Sequence, residues 1–191
     1  AGSGTHIQEG GILRISFSPA AGLDSVDPAL SFTPPGWALL DATCARLMSY
    51  PDKPAPEGFR LQPEVAAGYT VSPDLKTYTF TLRSGFRFSD GSPVRASAFA
   101  QAINRGLSPV AHSPGAVHMR DIVGAADVLL GRQQTARGVV AQGNKLVVRF
   151  KKPAPDFPAR TAMPFFCAVP PLLEPSEEGA THFPSAGPYH V

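Results

Sequence analysis

Thr77-Tyr78-Thr79-Phe80-Thr81-Leu82-Arg83, entered from Asp74-Leu75-Lys76 and continued by Ser84-Gly85-Phe86-Arg87-Phe88-Ser89-Asp90-Gly91, alternates threonine with tyrosine, phenylalanine and leucine. Successive side chains of a strand point to opposite faces. A period of two made of β-favouring residues therefore predicts a half-buried strand here. Asp74 sits in the turn before it and Ser84-Gly85 interrupts it. Phe86 and Phe88 then resume the apolar face ahead of an Asp90-Gly91 turn.

Downstream, Ser97 to Leu107 reads as a helix whose apolar stripe is Phe99, Ala102, Ile103 and Leu107, closed by Gly106-Leu107-Ser108-Pro109. Asp121 to Leu130 is a second short helix stopped by Gly131. Val139 to Phe150 reads as a hairpin with Gly143-Asn144 at its tip. Asp156 is placed to cap a helix carrying Phe157, Arg160 and Met163, with Pro158 in its first turn. Phe165 to Pro170 is expected to be a last apolar strand. Upstream, Ile12 to Phe17 reads as a strand, and Asp27-Pro28 opens a turn. Trp37 to Met48 reads as a helix, with Leu40, Cys44, Leu47 and Met48 on one face. Pro51 to Pro56 is a turn-rich break and a candidate domain crossing. This order of strands and helices suits an α/β or α+β domain.

Composition narrows the function. The 191 residues suffice for one domain or one and a half, and 43% hydrophobic residues supply a core. Only 17% are charged, while 21 prolines and 18 glycines imply short elements joined by turns. The net charge of +2 comes from scattered residues, and the longest basic run is Lys151-Lys152. A nucleic-acid binder would carry a basic stripe, so none is expected as a partner. No apolar run approaches the ~18 residues needed to span a bilayer. Ala1 is preceded by neither methionine nor an apolar signal core, so the chain reads as a processed or trimmed product with a flexible leader, Ala1 to Thr5. Cys44 and Cys167 lie in apolar contexts and form no Cys-x-x-Cys motif. Two buried thiols and one disulfide both remain open.

Catalytic patterns are missing. There is no Gly-x-Ser-x-Gly elbow and no His-Glu-x-x-His. Gly138 to Lys145 resembles a phosphate loop, but the lysine comes one place late and Leu146 replaces the magnesium-binding hydroxyl, so the hairpin reading prevails. His6, His112, His118, His182 and His190 share no metal-ligand spacing on a clear element. Glu177-Glu178 reads as a solvated loop. No nucleophile, base and orienter fall together. From these residues no enzyme, cofactor or metal site is expected.

The segment Leu61-Gln62-Pro63-Glu64-Val65-Ala66, followed by Asp74, Thr77 to Arg83 and Gly85-Phe86-Arg87-Phe88-Ser89-Asp90-Gly91-Ser92-Pro93, resembles a family signature. It is similar to that of the bacterial extracellular solute-binding proteins of family 5, the peptide- and nickel-binding receptors of ABC transporters. There the pattern runs Leu-x-Pro-x-Leu-Ala, Asp-Gly-x-Thr-Tyr-Thr-Phe-x-Leu-Arg and Gly-Val-x-Phe-x-Asp-Gly-x-Pro. Gly10 to Arg14, Leu23 to Pro28, Asp121 to Ala125, Phe150 to Phe157, Ala168 to Pro170 and Ser185 to Tyr189 resemble further family segments in family order. Two departures bear on local structure. Arg95 and Ala98 replace the threonine and acid of a capping box, a loss of ~1 kcal/mol unless Ser97 caps the helix instead. Leu75 replaces a glycine, so the turn after Asp74 is expected to be of another type.

The resemblance implies an α/β fold with a mixed sheet, like the type II periplasmic binding proteins, of which only the N-terminal lobe is present. Residues 1–48 and 167–191 would form part of the core domain, and residues 49–166 an inserted smaller domain. The implied function is the extracellular solute-binding component of an ABC importer, holding peptides or a similar small solute in an interlobe cleft. Lobe closure would then create the surface that the permease recognises. The loop after the first strand, through Pro19, Ala21, Leu23 and Ser25, would line the cleft, joined by His118 from the 111–118 loop. Trp37 reads equally as a core residue. The protein is expected outside the cell or in the periplasm, lipid-anchored in its full-length form. Two other readings compete: a ligand-sensing module of a signalling or transcription-regulatory protein, and an enzyme or bare structural domain completed elsewhere.

Overall fold

In the computed structural model, which describes residues 11–12, 14–16 and 22–190, the elements follow one another as α1 (Pro34–Thr43), β1 (Met48–Ser49), β2 (Gln62–Pro63), β3 (Ala66–Val71), β4 (Thr77–Leu82), α2 (Ala96–Leu107), α3 (Ala125–Leu129), β5 (Val139–Gln142), β6 (Lys145–Arg149) and α4 (Phe157–Arg160). The threonine-alternating stretch is β4, with Tyr78, Phe80 and Leu82 buried and the threonines on the wetter face. β3, β4, β6 and β5 lie in that order in one four-stranded sheet, and β1 pairs with β2 in a second. The chain mixes α and β as expected, and every strand pair among the described residues is antiparallel.

Phe99 and Ile103 of α2 join one apolar cluster with the inner-face residues Tyr78, Phe80, Leu146 and Val148. Phe157 is central to it, within 6 Å of the rings of Tyr78, Phe80, Phe150 and Phe166. The Tyr78 hydroxyl escapes an unpaired burial by donating to the Ala154 carbonyl at 2.7 Å. The β5–β6 hairpin turns at Gly143-Asn144, where Gly143 takes φ +58. That left-handed geometry is what a two-residue hairpin turn needs, and the antiparallel strand that follows, where a phosphate loop would open a helix, excludes a phosphate loop. Arg95 holds the cap position of α2 and no side chain caps it, Ser97 included, so the local loss anticipated from the missing capping box stands. Leu75 adopts φ +55, so the left-handed conformation that glycine favours is kept and a leucine is placed in it.

Five expectations need correction. The helix expected over Asp121 to Leu130 is only Ala125–Leu129, because Ile122 bridges Phe150 and Val123 pairs with Arg149 and Gly138 instead. Of the strand expected over Ile12 to Phe17, residues 12 and 14–16 are in no strand, and Leu13 and Phe17 lie outside the described residues. α1 starts earlier than read, at Pro34-Pro35, where a missing N–H is harmless, and it ends at Thr43, before Met48. It ends there because the carbonyls of Ala42 and Thr43 accept from Tyr189 and Gly187. Cys44 turns extended, and Leu47 and Met48 are buried from the following segment instead. α4 is a single turn that does not reach Met163, and Asp156 does not cap it: the carboxylate forks onto Arg160 at 2.8 and 2.9 Å. Residues 165–170 form a 3₁₀ turn and an extended segment, not a strand. Ala168 donates to Ala45 and Val169 to Ala98, so its bonds go to different partners and no ladder forms.

Cys44 and Cys167 form a disulfide with Cα atoms 5.6 Å apart, buried beside Leu40. It closes a loop with a sequence separation of 123 residues. Closing so long a loop removes much unfolded-state entropy, up to about 5 kcal/mol in the chain-entropy account. No helix among the described residues is long and apolar enough to cross a membrane. Replacing both cysteines by alanine should lower unfolding stability by about 2–5 kcal/mol. Urea unfolding of the parent with and without a reductant, beside the double variant, checks this. A double variant as stable as the oxidised parent would contradict it.

Candidate functional site

Asp24 organises the loop that leads into α1. Its carboxylate accepts from the Phe32 and Thr33 amides and from the Thr33 and Ser31 hydroxyls. Burial works against its charge, but these bonds outweigh it and hold its pKa below the usual value. Thr33 in turn caps α1 through Gly36. A Cβ on Gly36 would collide with Ser31 Oγ and Asp24 Oδ1, at 2.1 and 2.5 Å, so the closeness of loop and helix demands glycine there.

Asp27 fixes the same loop to the rest of the fold. Its side chain is fully buried, and so, within 1%, is that of Arg105 on α2. The guanidinium donates to both carboxylate oxygens, at 3.0 and 2.7 Å. The Ala29 and Ala180 amides add further donors at 2.9 and 2.8 Å. Burial pushes the Asp27 carboxyl up, but Arg105, by hydrogen bonding and charge, together with these amides pulls it below its ordinary value. Arg105 also donates through Nε to the Glu174 carbonyl.

A second contact joins this loop to the 3₁₀ turn Pro114–His118. Ser113 caps that turn and donates its hydroxyl to the Ala29 carbonyl. Phe165 lies between: Trp37 meets its edge at 5.8 Å, and His118 stacks on it at 6.0 Å. Trp37 also donates to the Ser31 carbonyl at 3.0 Å. Burial, then the Arg160 charge, lower the His118 pKa, with Asp156 opposing, so the ring is neutral at neutral pH. Phe32 and Val117 are exposed on the two facing segments, at 68% and 53%.

Of the residues expected to bind ligand, Pro19 and Ala21 lie outside the described residues. Leu23 is exposed on the loop. Ser25 is half-buried, and its hydroxyl accepts from the Asp27 amide, an internal turn bond. His118 is half-buried on the facing turn. Among the described residues no hydrogen bond or ring contact joins Leu23 or Ser25 directly to His118; the links are Ala29–Ser113 and Trp37–Phe165–His118. Sequence reasoning passed over Asp24, Arg105 and Phe165. The scarcity of carboxylates around Asp24 and Asp27 was the available signal. Among the described residues no three His, Cys, Asp or Glu side chains converge as a metal site.

The family model described as bacterial extracellular solute-binding proteins, family 5 Middle, matches residues 60–191, more than half of the chain. The chain belongs to this family. Among relatives of this solute-binding protein, a probable deoxycholate-binding periplasmic protein of Escherichia coli is 33% identical over 115 residues, covering 58% of this chain and 22% of the relative. A solved oligopeptide-binding protein 2 of clavulanic acid biosynthesis shares the fold with TM-score 0.81 at 28% identity, covering 90% of this chain and 32% of that one. The Haemophilus influenzae oligopeptide-binding protein, solved with the peptide RPPGFSPFR, gives TM-score 0.68 at 27% identity over 76% of this chain and 28% of that one. The chain therefore spans between about a fifth and a third of these relatives. The family match starts at residue 60, so the Asp24–Thr33 loop lies ahead of it.

Asp27 has a lowered pKa, so its contribution to stability is complete above the ordinary carboxylate value of 3.8 and is lost as pH falls through that value towards the folded one. Asp27→Asn should cost about 3–5 kcal/mol at neutral pH, because Arg105 is left buried and unpaired, and should flatten the acid-side loss. Urea unfolding at about pH 7 and about pH 3.5 tests both; a variant as stable and as acid-sensitive as the parent would contradict the assignment. A Cβ at Gly115 would sit 2.5 Å from Phe165 Cγ. Gly115→Ala should therefore destabilise by about 1–3 kcal/mol and change the emission of Trp37, the chain's one tryptophan. Unchanged emission would show that Phe165 does not link the two segments.

Proposed function

We propose that this chain is part of the extracellular solute-binding component of an ABC importer that takes peptides or a similar small solute into a cleft between two lobes. The observation that carries the reading is the likeness to an oligopeptide-binding protein over 90% of this chain. The relatives named above are binding proteins, and two are peptide binders, which supports binding in preference to catalysis. One wall of the cleft is the Asp24–Thr33 loop facing the Pro114–His118 turn, with Leu23, Phe32, Val117 and His118 towards the solute and Pro19 and Ala21 preceding them. Such a wall offers exposed apolar area and main-chain groups without a strong charge, which suits extended peptides of varied sequence.

The other wall belongs to the part of the receptor that corresponds to the larger share of the relatives, and closure of the two would present the surface read by the permease. Residues 1–48 and 167–191 form one domain of this lobe and 49–166 another. The Cys44–Cys167 bond, with the Gly187–Thr43, Tyr189–Ala42 and Ala168–Ala45 hydrogen bonds, supports joining the first two segments. A disulfide suits the periplasm or cell exterior, and a lipid anchor would keep the receptor beside its permease.

Calorimetric titration with a mixture of short peptides tests the reading. The complete gene product should bind with a Kd on the order of 1 μM, and residues 1–191 alone at least a hundredfold more weakly, a difference of about 2.7 kcal/mol or more. His118→Ala in the complete product should weaken binding about tenfold. Tight binding by residues 1–191 alone would overturn the two-lobe cleft. Saturable binding of deoxycholate without any of peptides would overturn the solute class.

A further inference from the structure

A groove of about 320 Å³ lies between α2, the 131–135 loop and the 171–175 segment. That volume is at the lower end for small-ligand sites. It is lined by Gln101, Asn104, Arg105 and Ser108 of α2 and its end, by Gln133 to Thr135, and by Pro109, Pro171 and Pro175 among others.

The chemistry of this lining is one-sided. Four carboxamides converge on it: Gln101, Asn104, Gln133 and Gln134. Gln101 uses its Nε2 on the Leu173 carbonyl, which leaves Oε1 as an acceptor. Asn104 is 9% exposed and accepts from the Ala136 amide through Oδ1, which leaves its Nδ2 protons as donors. Gln133 and Gln134 are exposed and make no side-chain hydrogen bond among the described residues. Each carboxamide both donates and accepts, as a peptide unit does. The prolines have no N–H to compete and give apolar walls. Two charged side chains line the groove. Arg105 is neutralised by Asp27, which leaves the exposed Glu174 as the charge a ligand would meet.

We propose that this groove is a second ligand site, for a short extended peptide whose main-chain amides pair with the four carboxamides and whose ammonium end lies towards Glu174. Its volume fits a few residues of free peptide better than the surface of a folded partner. An anion is disfavoured by Glu174, and a purely apolar ligand would leave the carboxamides unpaired. The inference is independent of the interlobe cleft, because no groove residue belongs to the loop or turn assigned to that cleft.

The test is an NMR titration of the ¹⁵N-labelled 191-residue chain with trialanine and with acetyl-trialanine amide. Saturable shifts are expected in the side-chain amides of Gln101, Asn104, Gln133 and Gln134, with a Kd on the order of 1–10 mM. Trialanine should bind about threefold tighter than the capped form, and Glu174→Gln should abolish that difference. Gln133→Ala with Gln134→Ala removes exposed groups that hold nothing else in place, and should weaken both peptides at least fivefold. Absent or non-saturating shifts at these amides, or equal affinity in the double variant, would overturn the site. Shifts confined to His118 and Val117 would also overturn it while leaving the cleft reading intact.

Discussion

The ion pair between Asp27 and Arg105 is the constraint on which the arrangement of this chain depends. Both groups are out of water, where an isolated charge would be costly, and the pair is tolerable because each guanidinium nitrogen and each carboxylate oxygen is hydrogen-bonded. The carboxylate takes both arms of the guanidinium and two backbone amides; the third guanidinium nitrogen goes to a carbonyl. The partners come from distant places: residue 27 before the first helix, residue 105 near the end of α2, and residues 174 and 180 in the segment that follows the sheet. An apolar pair of equal volume would have joined the same surfaces without fixing their register. Four directed bonds on one carboxylate fix it.

That register is what gives the candidate cleft wall a shape. The Asp24 carboxylate folds the loop on itself, Asp27 bolts its base to α2, and Ser113 and Phe165 bring the facing turn alongside. The Cys44–Cys167 bond acts in parallel, on the other end of α1. Together they place exposed apolar groups, Phe32 and Val117, on segments whose backbones are held from behind. A binding surface of this kind needs rigidity in the scaffold more than in the contacting side chains.

What was legible from the sequence was mainly local. The β4 strand follows from strict alternation, because a period of two has one structural meaning once the residues favour strands. The Gly143-Asn144 turn and the stripe of α2 were visible for similar reasons. The family signature around residues 61–93 was legible as a long ordered pattern, and the match to residues 60–191 agrees with it. Most of what failed was decided by distant segments. Leu40, Cys44, Leu47 and Met48 had helical spacing, yet the helix stops at Thr43 because the chain near residues 187–189 takes its carbonyls. The Phe165–Pro170 run was apolar enough for a strand but lacks a single partner to pair with. Asp156 occupied the cap position and was drawn away by Arg160, one turn on. Arg105 looked like an ordinary polar residue of an amphipathic helix, and nothing near it in sequence announced Asp27. The choice between thiols and disulfide likewise rested on a distance across 123 residues.

Native-state hydrogen exchange of the Ala29 and Ala180 amides measures the central constraint directly, since both donate to the Asp27 carboxylate. If the ion pair holds loop, helix and distal segment as one unit, both protons should exchange only through large-scale opening in the parent. In Arg105→Met both should become fast together while the β4 and β6 amides stay slow. Fast exchange of Ala180 in the parent, or an Arg105→Met variant that leaves both protons protected, would contradict the account.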